Sequence, residues 1–412
     1  MTPETATEAA TETGAATIRN TEARFFELDI LRGVAAAMVV LFHYKHFLID
    51  DGGNFDYAHM PLHGLLAPVY IFGQYFVELF FSISGYVFFW LYAEAVSERR
   101  VGLRNFFIAR FSRLYPLFFL TFIAVALFQW AFVTLYGQAY IYQDNSPGQF
   151  VLNLFMVQQW LPGAQMSFNG PSWSISVEVF LYAVFFALCA LRLNTPVMIA
   201  AVVVLGLLFK YLQPQPPPDF TRGIPNFFLG GLIFYAVQYL RDYARTVWLE
   251  RVEKVLIWLV PVLWLAAYVV GHDLIWGPVS TWIESHGIGS SSFLFSTDSF
   301  VYVLVPLTLL ALGLQQGKWL NLEALRKWSW AGDVSYSIYL IHFPLQILVM
   351  VGLAHLPYET RADIFDSPLV LILFMAVSLG LARLSFLYFE MPMRRHLKDW
   401  LTRRLAPGTP IL

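Results

Sequence analysis

A guanidinium and an imidazole stand eleven residues apart in one apolar stretch, Arg32 and His43 within FELDILRGVAAAMVVLFHYKHF (26–47). In a helix that interval is three turns plus about 20°, so both project from nearly the same face, roughly 16 Å apart along the axis. The pair suits a permanent cation that holds one part of a substrate and a base that works on another. Ionisable groups inside a membrane-length helix are costly, and function is the default reason to keep them. Gly33, Ala35, Ala36 and Ala37 between them allow close approach by a second helix or a ligand.

Other groups could join this chemistry. In NGPSWSISVEVFLY (169–182), Pro171 fits a helix start, and Ser174, Glu178 and Tyr182 follow on one face. Counted from the outer end, Glu178 lies roughly 9 Å deep, similar to His43. The spacing predicts that Glu178 orients the His43 imidazole and raises its basicity; a buried pair without chemistry is the alternative. Glu78, a lone carboxylate among phenylalanines in VELFFSISGYVFF (77–89), must be neutral, paired or catalytic, whereas Ser82, Ser84 and Gly85 form a helix-packing pattern. Arg110 and Arg113 in ARFSRLYP form an i, i+3 fork that suits phosphate, or are ordinary arginines at a cytosolic helix end. Ser335, Tyr339 and His342 share a face in DVSYSIYLIHFP; His342 either lines the cavity of His43 or bonds a neighbouring helix. His46, His59, His63, His272, His286, His355 and His396 are expected to be solvated at interfaces or in loops. No HExxH, paired histidine ligands or glycine-rich phosphate loop occurs, so neither a metal nor nucleotide hydrolysis is expected. The single cysteine, Cys189, excludes an intrachain disulfide and reads as a small buried apolar residue.

The elements that must position these groups are membrane helices. The 412-residue chain is 58% hydrophobic and 13% charged, against about 25% charged in soluble domains. A net charge of -2 does not suit nucleic acid as a partner. Apolar segments near the roughly 20 residues a bilayer requires fall at about 27–48, 69–95, 114–136, 173–192, 196–212, 223–240, 255–271, 298–315, 333–354 and 368–390. With the N-terminus in the cytosol, Arg and Lys crowd the inside loops (Arg99, Arg100, Arg104, Arg110, Arg113, Arg192, Arg241, Arg245, Arg251, Lys254, Lys318, Arg326, Lys327 and the end of the chain). The outside loops hold only Lys45, Arg222 and Arg361. The sequence therefore predicts an all-α polytopic membrane protein with about ten transmembrane helices and both termini cytosolic. Residues 1–24 read as a disordered tail without a signal peptide, 25–392 as the membrane domain and 393–412 as a basic cytosolic tail. The segment FVLNLFMVQQWL (150–161) is too short to span and reads as re-entrant or interfacial. PQPPP (214–218) reads as a stiff connector, and Trp276 and Trp282 sit at interface depth.

Five of these stretches, LDILRG…LFHY, ELFFSISGY, RFSRLYP, PSWSISVE and YSIYLIHFP, together resemble the family-3 membrane acyltransferases, which include bacterial polysaccharide O-acetyltransferases. They run in the family's order from about residue 27 to 390. The resemblance implies transfer of an acyl group, acetyl by default, from cytosolic acyl-CoA to a hydroxyl acceptor, usually a sugar of an exported polysaccharide, at the outer face of a bacterial plasma (inner) membrane. Acyl-CoA is then a co-substrate, no cofactor is bound permanently, and polysaccharide-assembly proteins are expected partners. Carried over by residue, His43 matches the essential histidine, Arg32 its arginine partner, Arg110 and Arg113 the cytosolic pair, and Glu178 the helix-four glutamate. Glu78, Ser174, Tyr339 and His342 are expected to line the substrate or donor path. Ile30 replaces a common small residue, and IHFP lacks frequent flanking tryptophans, both of which bear on the acceptor pocket. No fused extracytoplasmic domain is apparent, so transfer is expected to be direct or completed by a partner. An acyl-histidine variant, a transporter or flippase, and a scaffold of a polysaccharide machine are the competing readings.

Overall fold

The structure, a computed structural model, describes residues 25–50, 53–57, 59–161, 163–212, 220–243, 246–272, 297–315 and 322–405. The expected N-terminal tail, the PQPPP connector, Lys318, Trp276, Trp282 and His286 lie outside the described residues. Every regular element described is a helix. Apolar backbone at membrane depth finds no water, so it closes its hydrogen bonds within the segment.

In chain order the helices are α1 (Phe26–His43), α2 (His63–Ser97), α3 (Leu103–Tyr136), α4 (Pro147–Leu154), α5 (Gly170–Ala190), α6 (Pro196–Leu212), α7 (Phe220–Tyr243), α8 (Thr246–Val270), α9 (Phe300–Gln315), α10 (Glu323–Leu353), α11 (Tyr358–Phe365) and α12 (Pro368–Arg404). Seven of them, α2, α3, α5, α7, α8, α10 and α12, are long and apolar enough to cross a membrane. Helices α6 and α9 are apolar but shorter, and the 18-residue α1 carries Glu27, Asp29 and Arg32. Helix thus stands at each position the sequence marks, with full membrane-crossing character in seven.

Two further segments bear on how the helices sit. The 150–161 region, expected to be re-entrant or interfacial, holds only the end of the short helix Pro147–Leu154. The chain after it folds inward, with Gln159 N donating to Ser176 Oγ (3.1 Å), Trp160 Nε1 to Ser176 O (2.9 Å) and Asn169 Nδ2 to Leu340 O (3.2 Å). Irregular backbone is tolerated at such depth when protein surrounds it. The expected basic tail from 393 is helix as far as Arg404, and Arg104 Nη2 donates to Thr402 O across α3 and α12 (2.9 Å).

Two helix pairs position the site. Helices α1 and α10 run side by side in the same direction. Gly332 lies so close to α1 that a Cβ there would fall 2.6 Å from Asp29 Cα. Further along, Gln346 Nε2 donates to His43 O at 2.7 Å. Residues 29–43 of α1 therefore face 332–346 of α10. Helices α2 and α7 meet at Gly85, where a Cβ would stand 1.7 Å from Phe227 O. Backbone in that position cannot be moved by a rotamer change, so Gly85→Leu must part the helices. Overpacking of this kind costs about 1–3 kcal/mol or more. The expected result is a clear loss of protein from the membrane fraction and a lowered unfolding temperature of what remains, read by immunoblot and a thermal-shift assay.

Candidate active site

His43 is the last residue of α1, and a 3-10 turn, Tyr44–Leu48, follows it. Its Nδ1 lies 2.8 Å from Val39 O. A carbonyl only accepts, so Nδ1 carries the hydrogen and Nε2 keeps the lone pair. The imidazole is thus presented as a base by its own helix backbone. His342 of α10 approaches to 4.9 Å between ring centroids. The 3-10 turn brings in His46, 5.1 Å from His43. Its Nδ1 lies 3.3 Å from Gln346 Oε1, and the other end of that amide bonds His43 O. His46 is 3% exposed, so its expected solvation is corrected: the tight turn rotates it inward rather than onward along a straight helix.

The other histidines divide. His272 is also buried, its Nε2 3.0 Å from Gly64 O, again against expectation. His59, partly exposed, pairs with Asp56 at 2.6 Å, and the carboxylate raises the imidazole above its ordinary pKa. His63 is half-buried, and His355 and His396 are exposed.

At the other end of α1, Arg32 lines a cavity of 110 Å³ shared with Arg110, Arg113, Ser174, Glu178, Tyr182, Ser335, Tyr336 and Tyr339. Arg32 is 3.8 Å from Asp29. Arg110 donates to Tyr92 OH and lies over the Phe88 and Tyr92 rings (4.9 and 4.8 Å). Arg113 makes no hydrogen bond among the described residues and lines this cavity, so it has donors to offer a ligand there. The cavity is smaller than the roughly 300–1,000 Å³ of typical ligand sites.

Glu178 belongs to this inner group and does not contact His43. It accepts from Ser84 Oγ (3.1 Å) and from Tyr182 OH, and its charge acts on Arg32 and Arg113. The expected Glu178–His43 pair is therefore corrected, and the reason is depth. The in-folded loop starts α5 at the level of Tyr339, whose hydroxyl donates to Pro171 O. Seven residues on, or about 10 Å, Glu178 reaches the arginines. Val39 O takes the orienting role instead.

Tyr339 separates the two ends. It lines the cavity, and its ring is 6.2 Å from His342. Because its proton goes to Pro171 O, the 2.7 Å contact with Ser174 has Ser174 Oγ as donor. His43 does not line the arginine cavity, so a path between them passes Tyr339. Glu78, expected on the donor path, is paired with Arg222 from the first turn of α7: its Oε1 accepts at 2.8 Å from Nε and 2.7 Å from Nη2. Arg222 also lies 4.6 Å over Trp173. Arg222 is thus part of the helix array rather than an outside loop.

The model of a single acyltransferase domain matches residues 25–385. The chain belongs to acyltransferase family 3. Among relatives, "Protein 2 in picA locus" from Rhizobium radiobacter is 31% identical over 175 residues, 39% of this chain and 81% of that protein. "Acyltransferase MdmB" from Streptomyces mycarofaciens is 32% identical over 168 residues, 39% of this chain and 38% of that protein. No solved structure matches the chain. Membership of acyltransferase family 3 and seven membrane-length helices make this a multi-pass membrane acyltransferase.

Acyltransferase family 3 membership leaves several residues of the site unexplained by sequence reasoning. Glu390 is buried at the π-helical turn of α12, accepts from Ser337 Oγ at 2.6 Å, and acts on Arg32, Arg113 and Arg394. Its position at the end of an apolar segment gave no signal. Gln346 was findable, one helical turn after His342 on the same face.

Proposed function

We propose that the protein transfers an acyl group, acetyl by default, from acyl-CoA reached from the cytosol to a hydroxyl of a sugar, such as one in an exported polysaccharide, at the outer side of a bacterial plasma membrane. The observation that supports this most is the parallel α1–α10 pair, with unspent arginine donors at one end and an imidazole with a free Nε2 at the other. Arg113, with Arg110 and Arg32, suits the phosphates and polar arm of CoA. His43 Nε2 takes the proton of the acceptor hydroxyl as its oxygen attacks the thioester carbon. The carbon–sulfur bond then breaks, and the imidazolium returns the proton to the CoA thiolate. Glu178 and Glu390 hold the arginines in place by opposite charge.

The test is membranes supplied with radiolabelled acetyl-CoA. Acceptor-dependent release of free CoA with label on a glycan is expected. Acceptor movement across the membrane without CoA release would overturn the reading in favour of a transporter.

The donor arm must displace Tyr339. Tyr339→Phe removes a hydrogen bond to Pro171 O and one from Ser174, each worth about 0.5–1.5 kcal/mol. The expected result is an apparent KM for acyl-CoA several-fold lower, with membrane abundance unchanged, read from steady-state CoA release.

A further inference from the structure

The buried imidazoles of His43 and His342 leave an unanswered demand for hydrogen. His342 Nδ1 lies 3.2 Å from Ile338 O, as His43 Nδ1 lies 2.8 Å from Val39 O. Both rings therefore spend their one N–H on the backbone, four residues earlier in each helix, and both keep a lone pair on Nε2. His342 is 0% exposed, and its Nε2 has no partner among the described residues. A buried acceptor left without a donor is a standing cost, which a fold tolerates where a ligand supplies the donor. The other ring is 4.9 Å away and tilted by 35°.

From this geometry we propose that His342 is a specificity-determining residue that accepts a hydrogen bond from a second hydroxyl of the acceptor, on the carbon next to the one acylated. The acceptor class is then a vicinal diol, as in a sugar with two free neighbouring hydroxyls. Oxygens on adjacent carbons lie about a hydrogen-bond length apart, near 2.9 Å, so one diol bridges the two rings, 4.9 Å apart, when both Nε2 atoms face it. His43 takes the proton of one hydroxyl, while His342 holds the other and loses nothing in the reaction. The inference rests on His43 acting on an acceptor hydroxyl, and adds what that acceptor must carry. A site that hydrogen-bonds a substrate hydroxyl rejects the analogue that lacks it far better than an apolar site can.

The probes are 1,2-cyclohexanediol and cyclohexanol, each with acetyl-CoA and membranes holding the full chain. The readout is the ratio of kcat/KM for the two within each variant, so the amount of folded protein cancels. Wild type is expected to favour the diol by about tenfold or more, the factor for roughly 1.4 kcal/mol. His342→Phe should bring the ratio to within about twofold of unity. His342→Asn, which keeps an acceptor oxygen, should restore part of the preference. Equal use of both alcohols by wild type, or an unchanged preference in His342→Phe, overturns the proposal. So does failure of wild type to acylate the diol while it still acylates the glycan in its own membranes. Loss of both activities in wild type would instead overturn the acyltransfer reading itself.

Discussion

Replacing His43 by alanine is expected to lower acyl transfer by about 10²–10⁴-fold, the usual worth of a positioned general base, with membrane abundance unchanged. The size follows from the local geometry. Among the described residues only the Nδ1–H bond to Val39 O, within α1 itself, ties the side chain to the backbone, so its loss leaves the helix ladder intact. The Gln346 bridge to α10 reaches the main-chain oxygen of residue 43, which alanine keeps. What disappears is the Nε2 lone pair. Steady-state CoA release with an immunoblot of the membrane fraction checks this. A fully active His43→Ala protein would end the base assignment, whatever its cause.

The second large effect is expected at Arg113. Arg113→Gln should raise the KM for acyl-CoA by about 10- to 150-fold, because a hydrogen bond to a charged group is worth roughly 1.5–3 kcal/mol. Arg110→Gln should raise it less. Arg110 already donates to Tyr92 OH and is packed over two rings, whereas Arg113 has no hydrogen bond among the described residues. The sequence offers the two arginines as equals, and only their surroundings rank them. A KM unchanged in both single variants and in the double variant would remove the pair from donor binding.

Much of the architecture was legible in the residues. A long apolar run in a bilayer has one backbone solution, so helices stand at the marked positions. The eleven-residue interval on α1 also held, because helical pitch is fixed: Arg32 and His43 both face α10. The arginine fork lay on a continuous helix, and its two members line one cavity.

Depth and partner choice were not legible. Glu178 was placed beside His43 by counting inward from a membrane surface, but the loop before α5 dips to the level of Tyr339 and carries the whole helix inward. Glu78 carried no mark of its partner, since Arg222 lies 144 residues away in sequence. His46 looked like a loop residue until a 3-10 turn rotated it against His43.

By itself the sequence determined which segments are helices, which groups share a face of one helix, and that an imidazole and a set of cations are kept inside an apolar body. Only the tertiary structure decided which of those groups meet. Periodicity along a helix is fixed by local backbone hydrogen bonds. Contact between helices depends on how far each slides along its neighbour, and that is set by close contacts such as Gly332 against Asp29 and by folds in the intervening loops.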